Sequence, residues 1–143
     1  MGMFDAINAA ASGLTAERLR MDVISNNIAN ANTTRTAEGG AYRRQIVIFE
    51  PRSGQSFAQI LSKEMDPGSG VKVSGITKDN SPTRRVYDPN HPDADREGYV
   101  EMPNINVVSE MVDMITATRA YEANVTAVNA AKSMALKALE IGR

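Results

Sequence analysis

The chain has 143 residues, 42% of them hydrophobic but only 5% aromatic and none tryptophan, so alanine, valine, isoleucine and methionine supply most of its apolar surface. Residues of that size suit thin helix-to-helix seams better than one bulky core. Sixteen basic and seventeen acidic residues leave a net charge of −1, which argues against nucleic-acid binding, and the lack of cysteine excludes disulfides and thiolate metal sites.

The first 32 residues read as one helix. Ile7, Ala10, Leu14, Met21, Ile24, Ile28 and Ala31 recur at alternating spacings of three and four, with Glu17 as the single charged interruption. Beside this seam runs a polar but lightly charged row: Thr15, Arg18, Asp22, Asn26 and Asn30.

The middle, residues 33–102, concentrates glycine and proline and reads as a small irregular β region inserted between two helices. Strands are expected over Tyr42–Glu50, stopped by Pro51, then Val71–Thr77 and Thr83–Tyr87. Ser56–Met65 suits a short helix with Phe57, Ile60 and Leu61 on one face. Asp88–Gly98 is turn-rich. The pairs Arg43-Arg44 and Arg84-Arg85 read as solvated strand or loop charges.

From Pro103 onward the first design returns. Asn104 or Asn106 serves as N-cap, and a helix runs to about Ile141 before Gly142. Met111, Met114, Tyr121, Val125, Val128, Ala135 and Leu139 form its stripe, interrupted by Thr118 and Lys132. The expected fold is therefore mainly α with a small β region: two long antiparallel terminal helices in a coiled-coil-like hairpin, residues 1–32 and 103–143, around an irregular β-rich insert.

A helix of ~30 residues spans ~45 Å, whereas a compact globule of this size is roughly 37 Å across. About 70 middle residues cannot enclose two such helices. Either neighbouring subunits cover the remaining faces, or the molecule is a monomeric hairpin with polar outer faces.

Signs of catalysis are missing. The one histidine, His91, lies in the turn-rich segment between Asn90 and Pro92, and there is no nucleophile elbow, phosphate-binding loop or dinucleotide glycine pattern. Asp93–Gly98 imitates half of a calcium loop. Its twelfth position, where a closing glutamate belongs, is Asn104, so a plain acidic turn stands against an ion site. No catalytic residue, cofactor or metal is expected, and no apolar run of ~20 residues offers a membrane span. Met1–Asp5 lacks the basic and apolar segments of a secretory signal.

Residues Ala11–Thr34 (ASGLTAERLRMDVISNNIANANTT) resemble the N-terminal signature of bacterial flagellar axial proteins, the rod, hook and hook-associated subunits. Glu110–Ile115 (EMVDMI) followed by Arg119–Asn124 (RAYEAN) resembles their C-terminal signature. The short middle, with Arg84–Asp95 (RRVYDPNHPDAD), Gly98-Tyr99-Val100 and Pro103–Asn106, resembles the small proximal-rod members, and the resemblance covers nearly the whole chain. It implies a structural subunit of the periplasmic rod, a driveshaft carrying torque from the membrane ring toward the hook. The implied partners are further copies of itself, other proximal and distal rod proteins, the ring–rod adaptor and the flagellar type III export apparatus. Passage through that apparatus requires no cleaved signal peptide. Another short proximal-rod subunit and a non-flagellar helical scaffold are the alternatives.

On this reading Ile7, Leu14, Met21, Ile24, Ile28, Met111, Met114, Ile115, Tyr121, Val125, Val128 and Leu139 form helix seams or subunit interfaces. Asn26, Asn27, Asn30 and Asn124 would bond across subunits. Phe57 and Leu61 resemble the Phe-x-x-x-apolar export-gate motif of such subunits, against an ordinary buried helix face. The terminal helices are expected to be disordered before assembly, because a thin seam opposes weakly the entropy of ordering ~60 residues.

Overall fold

A computed structural model describes residues 3–52 and 70–141. Helix α1 spans Met3–Ala29, followed by strands β1 (Gln45–Pro51), β2 (Val71–Lys78), β3 (Arg84–Tyr87) and β4 (Tyr99–Met102) and by helix α2 (Val107–Ile141). The expected short helix at Ser56–Met65, with Phe57 and Leu61, lies outside the described residues.

Helix α1 ends earlier than periodicity suggests, and asparagines provide the reason. The Asn30 side-chain amide donates to the Asn26 carbonyl at 2.9 Å, and Thr33 Oγ1 donates to Asn30 Oδ1 at 3.2 Å. These short polar side chains satisfy the last carbonyls locally and turn the chain, so residues 30–32 form a turn. Asn106 is the N-cap of α2: its Oδ1 accepts from the N–H groups of Val108 and Ser109 at 3.0 and 3.3 Å.

The two helices run antiparallel. Asn27 meets Glu110, Met21 meets Thr118, and Gly13 meets Asn124. On α1 the residues turned wholly or partly inward include Ile7, Ala10, Leu14, Glu17, Met21, Ile24 and Ile28. On α2 the inward series is Val107, Glu110, Met114, Ala117, Tyr121, Asn124, Val128, Ala131 and Ala135, again alternating by three and four. It shares Met114, Tyr121, Val128 and Ala135 with the apolar stripe, then replaces Met111, Thr118, Val125 and Lys132 by the residue just before each. Bulky apolar residues thus yield every second inner position to Glu110, Ala117, Asn124 and Ala131. Small side chains let the backbones approach closely; a Cβ built on Gly13 would stand 2.8 Å from Asn124 Nδ2.

The middle forms two separate antiparallel hairpins. β1 and β2 pair from Gln45↔Lys78 to Pro51↔Val71, with a bulge at Ile48/Phe49. Two-stranded sheets are marginal alone, and this one is stabilised by packing on α1. One anchor is a close approach at β2: Val71 N–H donates to Ser12 Oγ at 3.0 Å, and Ser12 Oγ donates to the Ala9 carbonyl at 2.7 Å. Gly70 makes that approach possible. Its φ is +102°, and a Cβ there would lie 3.1 Å from Ala9 Cα and far inside contact distance of Ser12 Oγ.

The second hairpin pairs β3 with β4 from Arg84↔Met102 to Tyr87↔Tyr99. β4 has no counterpart among the expected strands, because only four residues separate the turn-rich segment from Pro103. Val100 and Pro103 are nevertheless among the most fully buried side chains. Replacing Gly70 by alanine should destabilise the chain by about 1–3 kcal/mol through backbone strain and the clash with Ser12; urea unfolding measures it.

Candidate functional site

One polar junction joins α1, β1 and α2. Asn27 and Glu110, each 1% exposed, are the only buried polar residues among those described. Asn27 Nδ2 donates to the Gln45 carbonyl at 2.9 Å and to Glu110 Oε2 at 3.0 Å. Asn27 Oδ1 in turn accepts from Gln45 N–H at 2.9 Å and from the Tyr42 hydroxyl at 3.1 Å. The amide therefore pairs with the backbone of residue 45 in both directions, as a neighbouring strand would, while its second N–H reaches the other helix.

Arg44 completes the group. Its Nε donates to Glu110 Oε1, and Nη2 donates to Asp113 Oδ2 at 3.1 Å. Arg20 Nη2 approaches Asp113 Oδ1 at 3.9 Å. A buried carboxylate is stable only when paired and hydrogen-bonded, and both Glu110 oxygens meet that condition. Burial, reinforced by the Glu110 charge, raises the Tyr42 pKa above the ordinary phenol value.

This arrangement corrects the expectation for Asn27: its amide bonds within the subunit, not across subunits. Asn124 is half-buried against Gly13, Asn30 is half-buried at the end of α1, and Asn26 is exposed. Glu110, Arg44 and Asp113 were not among the expected interface residues. Shifting the α2 heptad to begin at Val107 would have exposed the signal, because a glutamate then falls in the inner series opposite an asparagine.

The outer face of the first turns of α2 is apolar. Val108, Met111, Val112 and Ile115 are all exposed, the last two at 57% and 55%, and form one patch over the first turns at spacings of three and four. At the other end α2 outruns the described start of α1 by ~10 Å, leaving Met134, Leu136, Leu139 and Ile141 exposed near an equally exposed Phe4. Val125 sits at the margin between seam and surface, at 36% exposure.

The acidic turn uses its side chains internally. Asp95 Oδ1 accepts from the N–H groups of Glu97 and Tyr99, both at 2.9 Å, and Oδ2 accepts from Arg85 Nη2 at 2.9 Å. Asp93 Oδ2 accepts from Thr34 Oγ1 at 2.8 Å, tying the second hairpin to the loop after α1. His91 Nδ1 accepts from Asp93 N–H at 3.1 Å. Among the described residues no three metal-ligating side chains converge, and no helix is long and apolar enough to cross a membrane.

Three predictions arise here. Glu110→Ala removes one partner each from Arg44 and the Asn27 amide, which keep Asp113 and the Gln45 carbonyl, and should cost about 1–3 kcal/mol in urea unfolding. Glu110→Gln, which still accepts a hydrogen bond and leaves Arg44 to Asp113, should cost less. For pH, the Tyr99 N–H, with Glu97 N–H and Arg85, holds Asp95 below the usual carboxylate range. Its contribution is therefore present above the unfolded value of ~3.9 and lost only as pH falls through the lower folded value. The Tyr99 amide should keep its hydrogen-exchange protection down to ~pH 4 and lose it below.

The comparisons agree with one another. Residues 7–36 match the family described as flagella basal body rod protein, and residues 96–141 match the C-terminal family of flagellar basal body rod FlgEFG proteins. The chain is 54% identical to the flagellar basal-body rod protein FlgC of Borreliella burgdorferi, over 99% of this chain and 98% of the relative. Identity to the FlgC of Bacillus subtilis is 51%, and to that of Salmonella typhimurium 36%, each covering all of both chains.

Proposed function

The chain belongs to the FlgC family of flagellar basal-body rod proteins, and on that premise we propose that it is a structural subunit of the proximal rod which polymerises through its paired terminal helices. The observation carrying this reading is the outer face of α2. The inner seam is already filled by α1, yet Val108, Met111, Val112 and Ile115 remain open to water over the best-packed part of the helix. An apolar patch of that kind needs a neighbour.

The contact is heterologous. The patch lies on one side of the hairpin, and the tip formed by Phe4, Leu139 and Ile141 lies at its far end, so contact between them joins unlike surfaces, which builds an open helical polymer wherever the rotation between subunits does not close. Stiffness comes from many shallow contacts distributed along ~50 Å of helix. Among the expected interface residues, Met111, Ile115 and Leu139 contribute to these outer contacts. Ile7, Leu14, Met21, Ile24, Ile28, Met114, Tyr121 and Val128 hold the hairpin together. The first hairpin, β1 with β2, braces α1. The ring–rod adaptor, the other rod proteins and the export apparatus are the partners this role requires, and the subunit reaches the periplasmic rod through that apparatus without a cleaved signal peptide. No step in this role needs a cofactor or a catalytic group.

Ile115→Asp places a charge on the patch without touching the inner seam. It should leave the helix content of the purified chain unchanged by circular dichroism, yet abolish its recovery in isolated basal bodies. Normal rods carrying that variant would sink the assignment of the patch.

A further inference from the structure

Glu17 interrupts the apolar stripe of α1 and is not accounted for by the junction at Glu110. Its Oε2 is shut off from solvent and accepts no hydrogen bond among the described residues. Arg20 Nη1 stops 3.8 Å away, beyond hydrogen-bond reach. The Arg20 ion pair therefore offsets the desolvation of this half-buried carboxylate without giving Oε2 a hydrogen bond.

Glu17 lines a groove of about 280 Å³ between the helices and the first hairpin, walled by Ala9, Ala16, Phe49, Val71 and Asn124. The Asn124 side chain makes no hydrogen bond among the described residues either. The groove thus combines apolar walls with a carboxylate oxygen that lacks a hydrogen bond and an amide that makes none among the described residues. A half-turn of the broad terminal torsion of Glu17 exchanges its two oxygens, so either can face an incoming group. An aliphatic stem ending in a cation fits this chemistry.

The complementary groups stand on the same molecule's outer surface. Arg119, Lys132 and Lys137 are exposed on α2, and none forms an ion pair among the described residues. At ~100° per residue, Arg119 and Lys137 lie about 140° round the helix from Asn124, and Lys132 about 80°. We propose that the groove is a socket for a basic side chain of α2 from a second copy of this chain, held by Glu17 and Asn124. This rests on the rod assignment and specifies one of its contacts. A groove meeting an outer helix face is a contact between unlike surfaces, consistent with an open polymer.

The socket separates stability from assembly. Glu17→Gln removes a half-buried charge that only a long ion pair with Arg20 supports, so the purified full chain should melt at the native temperature or above it, while its recovery in isolated basal bodies should fall ~10-fold. Glu17→Lys should abolish recovery, and combining it with Arg119→Glu, Lys132→Glu or Lys137→Glu should restore it for one of the three. Normal recovery of Glu17→Gln overturns the socket, as does a lowered melting temperature, which would mark Glu17 as an internal support. Failure of all three swaps, or restoration only by a change in a different rod protein, overturns the second-copy assignment. If basal bodies form intact without the chain, the rod assignment fails instead, and the two failures are told apart.

Discussion

The fold depends on one amide. Asn27 bonds to the backbone of residue 45 as a strand would and uses its remaining N–H on Glu110, so one side chain fixes α1 to β1 and to α2 together. Because its partners are specific in position and direction, it determines the register of the helical pair more sharply than an apolar seam of alanines could. Slippage by one heptad would leave Glu110 and Arg44 buried without each other, at a cost of several kcal/mol. Every second inner position of α2 is then open to small or polar side chains, and the helices approach closely where Gly13 faces Asn124.

That division of labour explains where the hydrophobic residues go. In a self-sufficient hairpin, Met111 and Ile115 would lie inside. Here Ala117 and Ala131 occupy the interior, and the bulkier residues face outward. The subunit holds itself together with little apolar surface and leaves the rest for association. A hairpin built this way leaves apolar surface that only a neighbour can cover.

The helices, their antiparallel hairpin arrangement and the first three strands were legible in the sequence because strong periodicity and turn residues marked them. The α1 stripe was read from apolar spacing alone. The α2 stripe was read one residue late at alternate positions, because Met111 and Val125 look more like interior residues than Glu110 and Asn124 do. Single-sequence patterning ranks side chains by hydrophobicity and cannot see that a glutamate has an arginine and an asparagine waiting across sixty or more residues of chain. β4 was missed for a related reason: its four residues carry no alternation beyond Tyr99 and Val100, and its partner β3 supplies the order.

The neck of the first hairpin has a further consequence. Pro51 pairs with Val71, and Arg52 N–H donates to the Gly70 carbonyl at 2.8 Å, so the two strands close together beside Ser12. Because Val71 is both bonded to Ser12 and paired with Pro51, a change at Ser12 is felt by β1 as well as by β2.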